Sequence, residues 1–204
     1  DHKRALCDED MKKVFTRLPS SSAIPLAVRR AQDMFVLMFL LRGLPFVDLA
    51  YLRKSDLRDN VIIYRRRKTG RPLSVTLTPE ALELLKKYMN RDSHSPYLFP
   101  LLKSGEGTKE AYREYQLALR SFNQQLTLLG KVLGLNDRLS SYTARHTWAT
   151  TAYYCEIHPG IISEAMGHSS IKVTETYLKP FRNKKIDEAN NQIIDCLLYT
   201  SDAA

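Results

Sequence analysis

Residues 60–77, "NVIIYRRRKTGRPLSVTL", depart from the pattern of the rest of the chain. β-Branched and aromatic residues stand on both sides of Thr69–Gly70, the signature of a β-hairpin. Elsewhere the apolar residues recur mostly at helical spacing. This contrast predicts a mainly α fold with a small antiparallel β-sheet (α+β).

The helical segments carry their own punctuation. "LCDEDMKKVFTRLP" opens with acidic residues and predicts a short helix ending near Pro19, followed by a loop, "SSSAIP". "LAVRRAQDMFVLMFLLRG" reads as a long buried helix stopped by Gly43. "PFVDLAYLRKSDL" predicts a second short helix with Pro45 in its first turn. Thr78 caps a helix that begins at Pro79. Residues 109–134 are amphipathic, with an interruption expected near Gly130. "SSYTARHTWATTAYYCE", "HPGIISEAMGH" and "NKKIDEANNQIIDCL" give three more helices, and "LYTSDAA" has no periodicity. No internal repeat or low-complexity linker divides the chain.

The 204 residues suffice for one domain with a real core. The longest apolar run, Met34 to Leu41, falls far short of a membrane span. The chain does not open on a signal-like segment. Cys7, Cys155 and Cys196 lack paired or metal-ligand spacing, which fits a reducing, cytoplasmic setting.

Charge is more informative. The net charge is +9, and six of those nine charges lie between Arg53 and Pro72. Such clustering is the footprint of a polyanion-binding surface, most often nucleic acid. A solvated edge ribbon guarded by its charges is the alternative. The run Arg65, Arg66, Arg67, together with Arg71, reads as DNA-phosphate contacts that position without specifying sequence.

Five histidines without paired spacing argue against a metal site, and no phosphate loop suggests nucleotide hydrolysis. What remains is a set of cations around a tyrosine. Lys68 lies at the hairpin turn. Arg145 begins a helix, where its fork and the helix N-terminus can both address a phosphate. "EAMGHSSIKVTETYLKP" places His168 nine positions before Tyr177. Attack on a phosphodiester by an oxygen nucleophile needs its developing charge neutralised and its leaving oxygen protonated. Arginine suits the first task and lysine the second.

"KTGRPLSVTL", "ARHTWATTA" and "MGHSSIKVTETYL", in that order, resemble the catalytic domain of tyrosine recombinases, the phage integrase family. The resemblance covers roughly residues 3–182, leaving 183–204 as a C-terminal helix and tail. It implies that Tyr177 is the nucleophile, with Arg145, His168 and Lys68 around the phosphate. It also implies a site-specific recombinase working without cofactor or metal on double-stranded DNA, as a homo-oligomer, a tetramer. Family members usually carry an N-terminal helical domain, so this chain is expected to be a fragment with weak DNA binding of its own.

Two positions depart from the family pattern. Tyr142 stands where the family usually has a histidine. Pro45 stands where it has its first arginine. Arg42, three residues earlier, is the expected substitute, the alternative being a simple cap on the helix C-terminus. His146 is expected to lock local packing, and Trp148, Tyr153 and Tyr154 to be packing aromatics. Two other functions fit the same motifs: strand relaxation like that of a type IB topoisomerase, and a DNA-binding regulator that keeps the fold without activity.

Overall fold

A computed structural model describes residues 5–16, 18, 24–177 and 183–198. The chain runs through α1 (Asp8–Phe15), α2 (Leu26–Leu40) and α3 (Phe46–Tyr51). It then forms β1 (Leu57–Arg58), β2 (Val61–Arg65) and β3 (Pro72–Thr76). Six helices complete the described fold: α4 (Pro79–Tyr88), α5 (Lys109–Val132), α6 (Thr143–Tyr154), α7 (Pro159–Ala165), α8 (Ile171–Glu175) and α9 (Asn183–Leu198). The architecture is mainly helical with one small antiparallel sheet, as the sequence predicts.

Helix α2 is the hub because it is apolar nearly all round, and such a helix must be covered on several sides. It packs against α4, α5 and α6. Phe35, Leu37 and Met38 are fully enclosed. Gln32 on α2 donates to the carbonyls of Val14 and Thr16 (2.8 and 3.0 Å), binding the end of α1 to the hub. Buried Asp10 accepts the Asn136 N–H (3.0 Å), and Thr147 Oγ1 accepts the Leu6 N–H (3.0 Å). These bonds place α1 against the segments that flank and form α6.

The sheet has the order β1-β2-β3, with Ile62 opposite Val75 and Arg65 opposite Pro72. Ile62 and Tyr64 turn toward the core while Ile63 and Arg65 face outward, the two-residue alternation of a half-buried sheet. The hairpin loop is longer than two residues. Arg71 O accepts from Arg66 N (2.9 Å) and Arg66 O from Gly70 N (2.7 Å), with Gly70 at φ +68°.

Two helical boundaries differ from the sequence expectation. Helix α3 stops at Tyr51 because Leu52 turns extended and residues 52–54 pair with 96–98. Helix α5 runs unbroken through Gly130, where the returning Leu139 side chain lies 3.8 Å from a notional Cβ; its stop is Gly134, at φ +60°. Thr78 and Thr108 cap α4 and α5 by accepting N–H bonds from Ala81 and Ala111 (3.2 and 3.1 Å). Pro19, most of the loop after it and the last six residues lie outside the described residues. Among the described residues, no helix is long and apolar enough to cross a membrane.

Candidate active site

Four parts of the chain converge on Arg145: the turn after α2, the hairpin tip, the turn after α7 and the end of α8. Arg145 is buried at the start of α6. Its Nη1 donates to Gly43 O (2.9 Å) and its Nη2 to Met166 O (2.7 Å). These carbonyls sit at the C-terminal ends of α2 and α7, where the negative ends of the helix dipoles favour a cation. Gly43 is required here: it has φ +67°, and a Cβ would stand 2.9 Å from Arg145 Cα. Burial, then the neighbouring charge of Arg66, pull the Arg145 pKa below its ordinary value.

His168 follows Gly167 in the α7–α8 turn and is buried. Its Nδ1 is 2.8 Å from Thr174 Oγ1 on α8. Burial lowers its pKa to about 4, helped by Arg145, Arg66, Lys68 and Arg71. The ring is therefore neutral at pH 7. When Nδ1 accepts the threonine hydroxyl, Nε2 carries the proton.

Tyr177 lies two residues beyond the end of α8. Its ring stacks on His168 (centroids 5.4 Å apart, planes at 13°) and also meets His146 (4.5 Å, planes at 47°). Its phenol interacts with the Arg145 guanidinium. The aromatic body also packs with Trp148, Ala149 and Met166 in a small second core. The site thus sets a half-buried phenol beside a buried guanidinium.

The hairpin tip is fastened to the same turn. Thr69 Oγ1 donates to Gly167 O (3.0 Å) and Arg71 Nη2 to Ser169 O (3.3 Å). This docking brings exposed Lys68 near His168, whose titration feels its charge. Tyr142 is exposed at the N-cap of α6. Its ring is 6.4 Å from His146, and with Pro45 and Arg145 it lines a cavity of about 60 Å³.

The arginine run divides. Arg65 faces solvent and donates to Gly70 O (3.1 Å). Arg67 lies 3.8 Å over the Tyr51 ring and pairs with Glu106. Arg66 was expected on the surface with them; instead it is 7% exposed, and its Nη1 bonds Asp48 Oδ2 at 3.1 Å. Strand parity explains the difference: Arg66 continues the inward series Ile62, Tyr64. That alternation was readable in the sequence, but the triple-arginine composition masked it.

Arg42 lines a broad groove with Arg71, Leu73, Trp148, Ile161 and Glu164; Arg145, His168 and Tyr177 do not line it. Asp48 and His146 were not singled out as site residues. The signal for Asp48 was an acid inside the apolar stretch "PFVDLAYL", since buried acids are almost always paired. His146 was visible only as the neighbour of Arg145. Trp148 and Tyr153 pack as expected, whereas Tyr154 is largely exposed.

Residues 9–184 match the family model described as the phage integrase family. The chain belongs to that family.

Among phage integrase relatives, it is 28% identical to tyrosine recombinase XerA of Thermococcus onnurineus over 179 residues. That match covers 86% of this chain and 58% of the relative, so the chain spans less than two thirds of that protein's length. The same family fold is seen in the Tn1549 transposon integrase in complex with transposon right end DNA. There the TM-score is 0.67 at 15% identity, covering 95% of this chain and 67% of the other. The XerH recombinase bound to difH substrate gives a TM-score of 0.63 at 19% identity, covering 92% and 53%.

Proposed function

We propose that this chain is the catalytic domain of a site-specific DNA recombinase that cleaves and rejoins DNA through a 3′-phosphotyrosyl intermediate. One observation carries the reading: the Tyr177 ring contacts both His146 and His168, and its phenol interacts with the buried Arg145 guanidinium. The DNA complexes of the Tn1549 integrase and of XerH support duplex DNA as the substrate class.

In this mechanism Tyr177 Oη attacks a DNA phosphorus as its proton passes to solvent water, and the bond from phosphorus to the 5′-oxygen breaks. Arg145 and His168 donate to the nonbridging oxygens as charge builds there. Lys68, at the mobile end of a long side chain, protonates the departing 5′-oxygen. The phosphotyrosyl ester conserves the bond, so a 5′-hydroxyl can reverse the step without nucleotide hydrolysis. Tyr142, beside the pocket, can donate a hydrogen bond but not a charge. The same reading makes residues 1–182 the catalytic unit and 183–204 an appended helix and tail. It also implies tetrameric assembly on DNA and a cytoplasmic setting.

The test is covalent capture. The chain is incubated with nicked duplexes whose core sequence is randomised, and adducts are separated by denaturing electrophoresis. Wild type should yield adducts and Tyr177→Phe none, while noncovalent binding of the two stays equal. Adducts with the phenylalanine variant would remove Tyr177 from the role.

A further inference from the structure

Three buried side chains in this site share one arrangement: each is fastened at one end and leaves one nitrogen without a partner. Arg145 gives both Nη groups to carbonyls, and its Nε has no partner among the described residues. His168 engages Thr174 through Nδ1, and its Nε2 has none. Arg66 gives Nη1 to Asp48, and its Nε has none. An orphaned buried N–H has lost its hydration without gaining a bond in exchange. Three such groups on side chains that feel one another's charge indicate a site that awaits an acceptor.

We propose that Arg66, brought in by the hairpin, is the second phosphate-binding arginine of the pocket, and that Asp48 is its positioning residue. The proposal deepens the recombinase reading and rests on it for the identity of the phosphate.

Pro45 occupies the family's first-arginine position and carries no charge. It stands near Arg145, since the two line one small cavity. Arg66 reaches the pocket from the sheet instead. Its stem runs against Gly167, the residue before His168. Asp48, two residues into α3, holds the guanidinium through Oδ2 and the Arg67 N–H through Oδ1 (2.9 Å). The carboxylate thereby fixes both the Arg66 head and the backbone after it. A lone buried guanidinium beside Arg145 would be repelled, and Asp48 offsets that repulsion. Arg42, the candidate from sequence, lines a separate groove with Arg71, and its charge acts on Tyr64 together with those of Arg66 and Arg145.

Two measurements test this. In the first, thermal unfolding of the full chain is followed against rising inorganic phosphate at matched ionic strength. The midpoint should rise for wild type, because binding to the native state stabilises it. The rise should vanish in Arg66→Lys, which keeps a charge for Asp48 but loses the planar fork. The double variant Arg66→Gln with Asp48→Asn leaves no unpaired buried charge, and it guards against a fold too weak to measure. It should also lose the phosphate response. In the second, the rate of phosphotyrosyl adduct formation on captured nicked duplexes should fall about a hundredfold in either variant, the usual effect of removing one well-placed donor. A phosphate response that persists in both variants, or is absent from wild type, overturns the proposal. So does loss of the response in Arg42→Ala but not in Arg66→Lys, and so do adducts formed at an undiminished rate in either Arg66 variant. Phosphate binding through Arg66 with no adduct on any duplex would sink the recombinase reading and leave the two-arginine pocket standing.

Discussion

Arg66 runs beneath Gly167 with no room for a side chain between them: a Cβ at 167 would stand 2.9 Å from Arg66 Cδ and 3.0 Å from Leu73 Cδ1. Gly167 is also at φ +64°, where an L residue is strained. One glycine thus lets α7 end, lets the hairpin dock and lets Arg66 pass.

Gly167→Ala should therefore cost more than backbone strain. Gly134 provides the comparison, since it has φ +60° with nothing near a notional Cβ. Gly134→Ala should lose about 1 kcal/mol, the left-handed penalty alone. Gly167→Ala should lose about 3 kcal/mol, because overpacking adds to it. Urea denaturation of the two variants measures the difference. Equal losses would mean that Arg66 moves aside freely.

The Asp48–Arg66 pair makes a second prediction. Both side chains are buried, so removing one partner leaves an uncompensated charge. Asp48→Ala should destabilise by about 3 kcal/mol, and Asp48→Ala with Arg66→Leu should recover most of that loss. A double-mutant cycle reads the coupling directly. Additive losses would show that the two residues do not support each other.

His168 predicts a pH dependence. Its folded pKa of about 4 lies below the ordinary histidine value of about 6.5, so the unfolded chain binds the extra proton first. Stability contributed by the neutral ring is complete above pH 6.5 and is lost as pH falls toward 4. The shift corresponds to about 3 kcal/mol. The groups named as acting on the ring, Arg145, Arg66, Lys68 and Arg71, are all cations, so protonation finds no compensating charge in that set. His168→Gln should flatten the stability curve between those pH values relative to wild type. An unaltered slope would place the titration elsewhere.

The surface arginines should differ in their effect on DNA binding. Neutralising Arg65 or Arg71 should weaken binding to any duplex and lower the logarithmic salt slope by about one each, through lost counterion release. Arg67→Gln should do less, because Glu106 already offsets that charge. Salt titrations of binding to a random duplex compare the three. An Arg67 effect as large as that of Arg65 would mean Glu106 releases its partner on DNA.

The sequence by itself determined what depends on neighbours along the chain. Thr78 and Pro79 specify the start of α4, since a cap needs only its own backbone three residues on. The hairpin follows from β-branched residues around Thr69–Gly70, although the third strand, β1, does not. The family motifs around Lys68, Arg145, His168 and Tyr177 were legible because their order and spacing are local patterns. Even the inward turn of Arg66 was written in the alternation from Ile62.

What only the tertiary structure decided is which charges meet. Arg42 and Arg66 are equally basic on paper. The docking of the hairpin on the α7–α8 turn, through Thr69 and Gly167, carries Arg66 against the residue before His168. The positive φ values at Arg42 and Gly43 end α2 with Arg42 lining the groove beside Trp148. Asp48 becomes a partner for Arg66 only because α3 and the hairpin, 18 residues apart in sequence, are pressed together with solvent removed. Burial strengthens that attraction but also penalises the Asp48 charge, raising its pKa, so the pair stands only while both partners are present. No pattern along the chain encodes where water is excluded.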